Sequence, residues 1–78
     1  MGNDNQIIIM SNARSHLEKA ISLNPEFAEA YYELGVLLKE ENSIEECIKN
    51  FKKAVEIKPD YAKAQCELGI ALSVNDDL

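Results

Sequence analysis

Hydrophobic side chains recur every three or four residues along most of this chain, the spacing that places them on one face of a helix. Pairs of turn-forming residues interrupt the pattern at Asn24-Pro25, Asn42-Ser43 and Pro59-Asp60. No segment alternates between apolar and polar residues as a half-buried strand does. The chain is therefore predicted to be all-α, with four antiparallel helices at about residues 10–23, 26–41, 44–58 and 61–74.

The N-terminal segment fits this pattern poorly, since a polar start is followed by three consecutive isoleucines. We expect residues 1–9 to form either a flexible or appended tail or an N-terminal extension of the first helix. Residues 10–78 are expected to form one helical domain, because a chain of 78 residues buries only a modest core.

Residues of the two central helices indicate how the backbone turns and packs. Gly35 lies inside the second helix, where glycine costs about 1 kcal/mol relative to alanine, so we expect another helix to approach closely there. Asn42 tolerates the left-handed backbone that closes many helices. Ser43 and Glu46 have the spacing of a capping box at the start of the third helix.

An internal repeat of 34 residues is the strongest signal in the chain. Proline, alanine, leucine and glycine recur unchanged at this spacing. The matching pairs include Pro25 and Pro59, Ala28 and Ala62, Ala30 and Ala64, Leu34 and Leu68, Gly35 and Gly69, and Leu38 and Leu72. Agreement in all these residue types together is hard to reach by chance.

A 34-residue helix–turn–helix repeat resembles the tetratricopeptide repeat family, and the resemblance covers about residues 10–76. The family's aromatic-x-x-Leu-Gly signature appears as Tyr31, Leu34 and Gly35. The resemblance implies a right-handed α-solenoid in which residues 28–61 form one complete repeat, flanked by a half repeat on each side. Three positions depart from the usual alanine, turn glycine and aromatic residue: Cys47, Asn42 and Gln65.

In this family the first helices of successive repeats line a concave surface, which implies a protein-binding groove between the second and fourth helices. The positions concerned are Glu29, Tyr32, Glu33, Val36, Lys39, Lys63, Cys66, Glu67, Ile70 and Ser73. An apolar floor edged by glutamates would suit an amphipathic or basic peptide or helix of a partner protein. The alternative is a purely structural, self-associating solenoid fragment with no ligand of its own. The family's basic clamp for C-terminal carboxylates has no matching residues except Lys63, so chaperone-tail binding is not expected.

The flanking half repeats lead us to expect self-association. Solenoids close their ends with helices that have a polar outer face, and here the outer faces of both terminal helices are expected to be partly apolar. The residues assigned to self-association are Met10, Ala13, Leu17 and Leu72. We expect a homo-oligomer, and exchange of helices between chains at the Asn42-Ser43 turn is one route to it.

Net charge and cysteine content limit the classes of partner and the cellular location that we expect. The 14 acidic and 8 basic residues give a net charge of −6, which argues against nucleic acid and anionic membranes, since both require a basic face. The expected partner is a protein or peptide. Cys47 and Cys66 form no CxxC motif and are expected to be free thiols, which favours a cytoplasmic location. No apolar run approaches the roughly 18 residues of a membrane span.

No combination of residues indicates an enzyme. His16 is the only histidine, and no partner residues are spaced to activate it. The acidic pairs Glu40-Glu41 and Asp76-Asp77 lack the alternating oxygen ligands of a calcium loop. We therefore expect no catalytic residue, no cofactor and no metal site.

Overall fold

The computed structural model describes the backbone of residues 3–76 and the side chains of residues 12–75. Within those residues the chain forms four α-helices and no strand. They are α1 (Asn3–Leu23), α2 (Ala28–Glu40), α3 (Ile44–Ile57) and α4 (Ala62–Asp76). Each helix packs mainly against the next one in the chain, and together they form a slab of 39 × 35 × 16 Å. The predicted all-α fold of four helices is confirmed.

The turn between α2 and α3 depends on one left-handed residue. Asn42 has a φ of 65°, as predicted, and its N–H donates to the carbonyl of Lys39 at 2.9 Å. The N–H of Ser43 donates to the carbonyl of Leu38 at 2.8 Å. This pair of bonds is a Schellman motif, which satisfies the last carbonyls of the helix.

The predicted capping box at the start of α3 is wrong. Ser43 occupies the N-cap position, but its side chain makes no capping hydrogen bond. The N–H of Ser43, from which the Glu46 carboxylate would accept in a capping box, already donates to the carbonyl of Leu38 in the Schellman turn. The Glu46 carboxylate accepts instead from the ammonium of Lys49 at 3.3 Å.

The two proline turns are built alike, although their sequences differ. The Tyr31 hydroxyl donates to the carbonyl of Pro25 at 3.1 Å, and the Gln65 amide donates to the carbonyl of Pro59. Gln65, which departs from the usual aromatic residue, therefore keeps the hydrogen bond of its counterpart one repeat earlier. Pro25 lies in the turn itself, so α2 begins at Ala28, two residues later than predicted.

The core lies between α2 and α3 and is closed by α4. Phe51 is fully buried, and its ring lies against the backbone at Gly35. A Cβ atom at Gly35 would come within 2.6 Å of Cε1 of Phe51, which confirms the close approach expected at this glycine. The buried cluster consists of Leu34, Leu38, Cys47, Ile48, Phe51 and Ala71.

Helix α1 is attached to the rest of the fold by both apolar and polar contacts. Leu17 and Ile21 pack against the buried cluster. The Arg14 guanidinium donates to the carboxylate of Glu41 in the turn after α2. These contacts fix α1 against α2 and so continue the same side-by-side arrangement that α2, α3 and α4 adopt.

Candidate functional site

A groove of about 580 Å³ lies where the face of α4 meets Tyr32 of α2. The residues of α4 that line it form two parallel rows, because they recur every four positions along the helix. One row is apolar and the other is charged. The apolar row is Ala62, Cys66 and Ile70, and the charged row is Lys63 and Glu67.

Tyr32 forms the α2 side of the groove and is held by two aromatic neighbours. Its ring lies 5.8 Å from the ring of Phe51 and 5.3 Å from that of Tyr61, centroid to centroid, in tilted arrangements. Aromatic pairs at such distances contribute roughly 0.5–1.5 kcal/mol beyond their burial. Burial, and next the nearby carboxylate of Glu29, raises the pKa of Tyr61 above its usual value. The α2 side of the groove is therefore an aromatic ring that packs against two further aromatic rings.

Two of the glutamates beside the groove are already paired with lysines. The ammonium of Lys39 lies 3.1 Å from both carboxylate oxygens of Glu67 and so joins α2 to α4. Lys58 donates to Glu29 at 3.4 Å. Backbone hydrogen bonding, together with Lys58, lowers the pKa of the Glu29 carboxyl. These ion pairs neutralise much of the acidic edge that the sequence suggests.

The two thiols have different surroundings. Cys47 is fully buried between the helices, and burial raises the pKa of its thiol, so the reactive thiolate is disfavoured. Cys66 is an exposed free cysteine on the groove wall. Cys66 is thus the thiol that a reagent reaches in the folded chain.

The side chains of residues 12–75 give little support for a catalytic histidine or a metal site. His16 lies on the exposed surface of α1. No three histidine, cysteine or acidic side chains come together there in a way that would hold a metal ion. In the same part of the chain, no helix has both the length and the apolar character needed to cross a membrane.

Two family models match the sequence. One is described as "Tetratricopeptide repeat" and matches residues 28–61, and the other is described as "TPR repeat" and matches residues 11–41. The chain belongs to the tetratricopeptide repeat (TPR) family. The first match coincides with the segment predicted to be the one complete repeat. TPR repeats generally mediate protein–protein interactions, and such modules are typically not enzymes.

A solved structure described as "Crystal structure of MamA" shares this TPR fold, with a TM-score of 0.83 and 29% sequence identity. The match covers 94% of this chain and 43% of the MamA chain, so the chain spans less than half the length of that protein. No curated protein matches this chain.

Half of the residues assigned to the TPR groove line it: Tyr32, Lys63, Cys66, Glu67 and Ile70. Glu29 and Lys39 lie beside it in ion pairs, while Glu33 and Ser73 are exposed without lining it. Val36 was expected in the apolar floor, but its half-buried side chain packs against the core. Ala62 also lines the groove and was not among the expected residues, although it lies four positions before Cys66 and therefore in the same row.

The residues assigned to self-association have mixed positions. Leu72 is exposed at 38%, and Ala13 is half-buried on α1. Leu17 is also half-buried and packs against the core, so only part of it lies on an outer face. The side chain of Met10 lies outside the described residues. Self-association through these residues stays a prediction.

Proposed function

We propose that the α2–α4 groove binds an amphipathic peptide segment, extended or helical, of a partner protein. The observation that carries the proposal is the pair of rows on α4, one apolar and one charged, facing the ring of Tyr32. Such a groove receives the apolar side chains of a ligand on one row and its polar side chains on the other. The TPR family of this chain supports a protein as the ligand.

The charges at the groove favour an amphipathic segment over a strongly basic one. Glu29 and Glu67 already have lysine partners within the chain. Among the described residues, Glu33 and Lys63 have no ion-pair partner, and their charges are opposite. A ligand with charges of both signs complements both residues, whereas a purely basic ligand is repelled by Lys63.

The same proposal includes the setting of the interaction. The net charge of −6 opposes nucleic acid and anionic membranes as partners. Cys47 and Cys66 are free thiols, which supports a reducing, cytoplasmic location.

A second candidate function is purely structural: the chain assembles with other copies and binds no ligand of its own. The observation that favours it is the exposure of an apolar side chain on α4 outside the groove, that of Leu72. Exposed apolar surface of this kind marks an interaction site of some sort.

Peptide selection with a matched pair of variants tests the groove. Peptides are selected from a random-sequence phage library on the 78-residue protein, and their affinities are measured by fluorescence anisotropy. Ile70→Lys is compared with Val74→Lys, because these residues lie one turn apart on α4 and are exposed at 49% and 45%, but only Ile70 lines the groove. We expect Ile70→Lys to weaken binding about tenfold or more and Val74→Lys to leave it unchanged.

The exposed thiol gives a second readout. Bound peptide should slow the reaction of Cys66 with a thiol reagent, because Cys66 lies in the apolar row, while Cys47 is buried and escapes the reagent. Equal loss of binding in both lysine variants, or an unchanged rate of Cys66 modification at saturating peptide, would contradict groove binding. If selection yields no peptide while the chain assembles, the structural candidate is favoured.

A further inference from the structure

The 34-residue repeat makes the α2–α3 pair an internal template for the two terminal helices. Residues of α4 occupy the positions of α2 one repeat later, and residues of α1 occupy the positions of α3 one repeat earlier. The face of α2 that α3 covers can therefore be compared, position by position, with the same face of α4.

On α4 this face is formed but uncovered. Leu38 of α2 is 9% exposed, whereas its counterpart Leu72 is 38% exposed. At Gly35 an added Cβ would meet the ring of Phe51 at 2.6 Å, but at Gly69 it would meet nothing within 4 Å. On α2, α3 covers Gly35 and Leu38. Helix α4 presents the equivalent residues Gly69 and Leu72, but no side chain covers them as Phe51 covers Gly35.

On α1 the complementary face is also only partly covered. Cys47 and Phe51 of α3 are 0% exposed. Their counterparts one repeat earlier, Ala13 and Leu17, are half-buried. Helix α1 therefore carries the side chains of an α3-type helix and leaves part of that surface open.

We propose that copies of this chain stack head to tail, with α1 of one copy packing on α4 of the next in the register that α3 takes on α2. In this register Leu17 of one copy lies over Gly69 of its neighbour, as Phe51 lies over Gly35 within the chain. The inference goes beyond the groove and is independent of its ligand.

Continuity with the α2–α3 interface identifies the occupant as a second copy. An α3-type helix fits this face of α4, and α1 is a helix of that type, so the stacked contact repeats packing already present in the chain. The same register brings Phe27, which is 39% exposed, over Cys66 of the neighbour, because their counterparts Tyr61 and Tyr32 stack within the chain at 5.3 Å.

The charges across the stacked contact are compatible. At the positions equivalent to each ion pair of the template, the residues that meet across the stacked contact do not carry charges of the same sign. The ion pair of Glu29 with Lys58 corresponds to Lys63 of one copy opposite Asn24 of its neighbour. The ion pair of Lys39 with Glu67 corresponds to Ser73 of one copy opposite Glu33 of its neighbour. The contact joins two different faces, so it is heterologous and adds copies one after another unless the rotation closes a ring.

Sedimentation velocity and light scattering on the 78-residue protein test the stacking. We expect the mass to rise with concentration beyond that of a dimer or to settle at a closed ring. Gly69→Leu is the decisive variant. The position is open in the single chain and leucine favours a helix over glycine, so the fold persists, while overpacking against Leu17 weakens association about tenfold or more. Val74→Lys, whose counterpart Glu40 is exposed in the template, is the control and retains association.

Mixing two blocked variants separates head-to-tail stacking from a symmetric contact. Gly69→Leu blocks only the α4 face, and Ala13→Glu blocks only the α1 face. We expect each variant to be monomeric alone and the two to form a 1:1 dimer when mixed, with circular dichroism confirming that both fold. A parent chain that stays monomeric at high micromolar concentration, unimpaired association of Gly69→Leu, or self-association of Ala13→Glu through α4 alone overturns the proposal.

Discussion

Gly35 and Gly69 occupy equivalent positions one repeat apart and have opposite environments. Both are preceded by Glu-Leu. Gly35 is pressed against the ring of Phe51, whereas the space beside Gly69 is open. The requirement for glycine is therefore set by the neighbouring helix and not by the local sequence.

Alanine substitutions at the two glycines are expected to have opposite effects on the free energy of unfolding. Gly35→Ala should destabilise by up to about 2 kcal/mol, since overpacking at 2.6 Å costs about 1–3 kcal/mol against a gain of about 1 kcal/mol in helix propensity. Gly69→Ala should stabilise by up to about 1 kcal/mol. Urea unfolding at low protein concentration measures both. Effects of the same sign would contradict the packing at Gly35.

At the scale of elements, α4 packs mainly against α3 and is joined to α2 by an ion pair. Ala64 and Ala71 are buried, and Leu68 packs against the core. Lys39 of α2 pairs with Glu67 of α4, and this ion pair is partly buried. It is the polar link that holds the two walls of the groove at a fixed separation.

A double-mutant cycle on Lys39→Ala and Glu67→Ala should give a coupling energy of about 0.2–1 kcal/mol that weakens as salt rises. Partial burial limits screening, so we expect this coupling to exceed that of the exposed pair Lys49–Glu46 within α3, which serves as the matched control. Denaturant unfolding at low and high ionic strength measures both cycles. A smaller coupling for Lys39–Glu67 than for Lys49–Glu46 would mean that the pair does not hold α4.

At the scale of the whole molecule, a buried thiol and a half-buried phenol connect the packing of the layers to pH. Cys47 lies inside the α2–α3–α4 core, and Tyr61 packs where α3 leads into α4. Burial is the main cause that raises the pKa of both groups above their ordinary values, which are 9.0 for the Cys47 thiol and 10.0 for the Tyr61 hydroxyl. The folded chain therefore holds these protons to higher pH than the unfolded chain does.

Stability should consequently fall as the solution becomes alkaline. Both folded pKa values lie above the unfolded ones, so the contribution is fully present below about pH 9 and is lost as pH rises through the folded values. Cys47→Ala combined with Tyr61→Phe should flatten this decline. Thermal unfolding from pH 7 to pH 11, about the range that spans both groups, measures it. An unchanged slope in the double variant would assign the decline to other groups.

Much of the fold was predictable because helix periodicity and the 34-residue repeat are local and redundant signals. The turn at Asn42, the close approach at Gly35 and the order of the four helices all followed from residue type and spacing. The failure of the Ser43 capping box has a physical cause, since the backbone N–H of Ser43 that the Glu46 side chain would cap already donates to Leu38 in the turn after α2. The spacing of Ser43 and Glu46 alone does not show whether the backbone groups that they would cap are already hydrogen-bonded.

The candidate site was predictable in outline only. The resemblance to the family assigned Tyr32, Lys63, Cys66, Glu67 and Ile70 to the groove, and these five residues line it. Val36, assigned to the same groove, packs against the core and does not line it, because the packing of neighbouring helices decides which residues of α2 reach the groove.

The sequence by itself determined the helices, the repeat and the family, because these depend on residue type at short and fixed separations. Only the tertiary structure decided which equivalent residues are covered and which are open. Gly35 and Gly69, or Leu38 and Leu72, are the same residues one repeat apart, and they differ only in whether a helix packs over them. Burial is a property of contacts between distant segments, so the same residue at equivalent positions lies in the core in one repeat and at an exposed surface in the next.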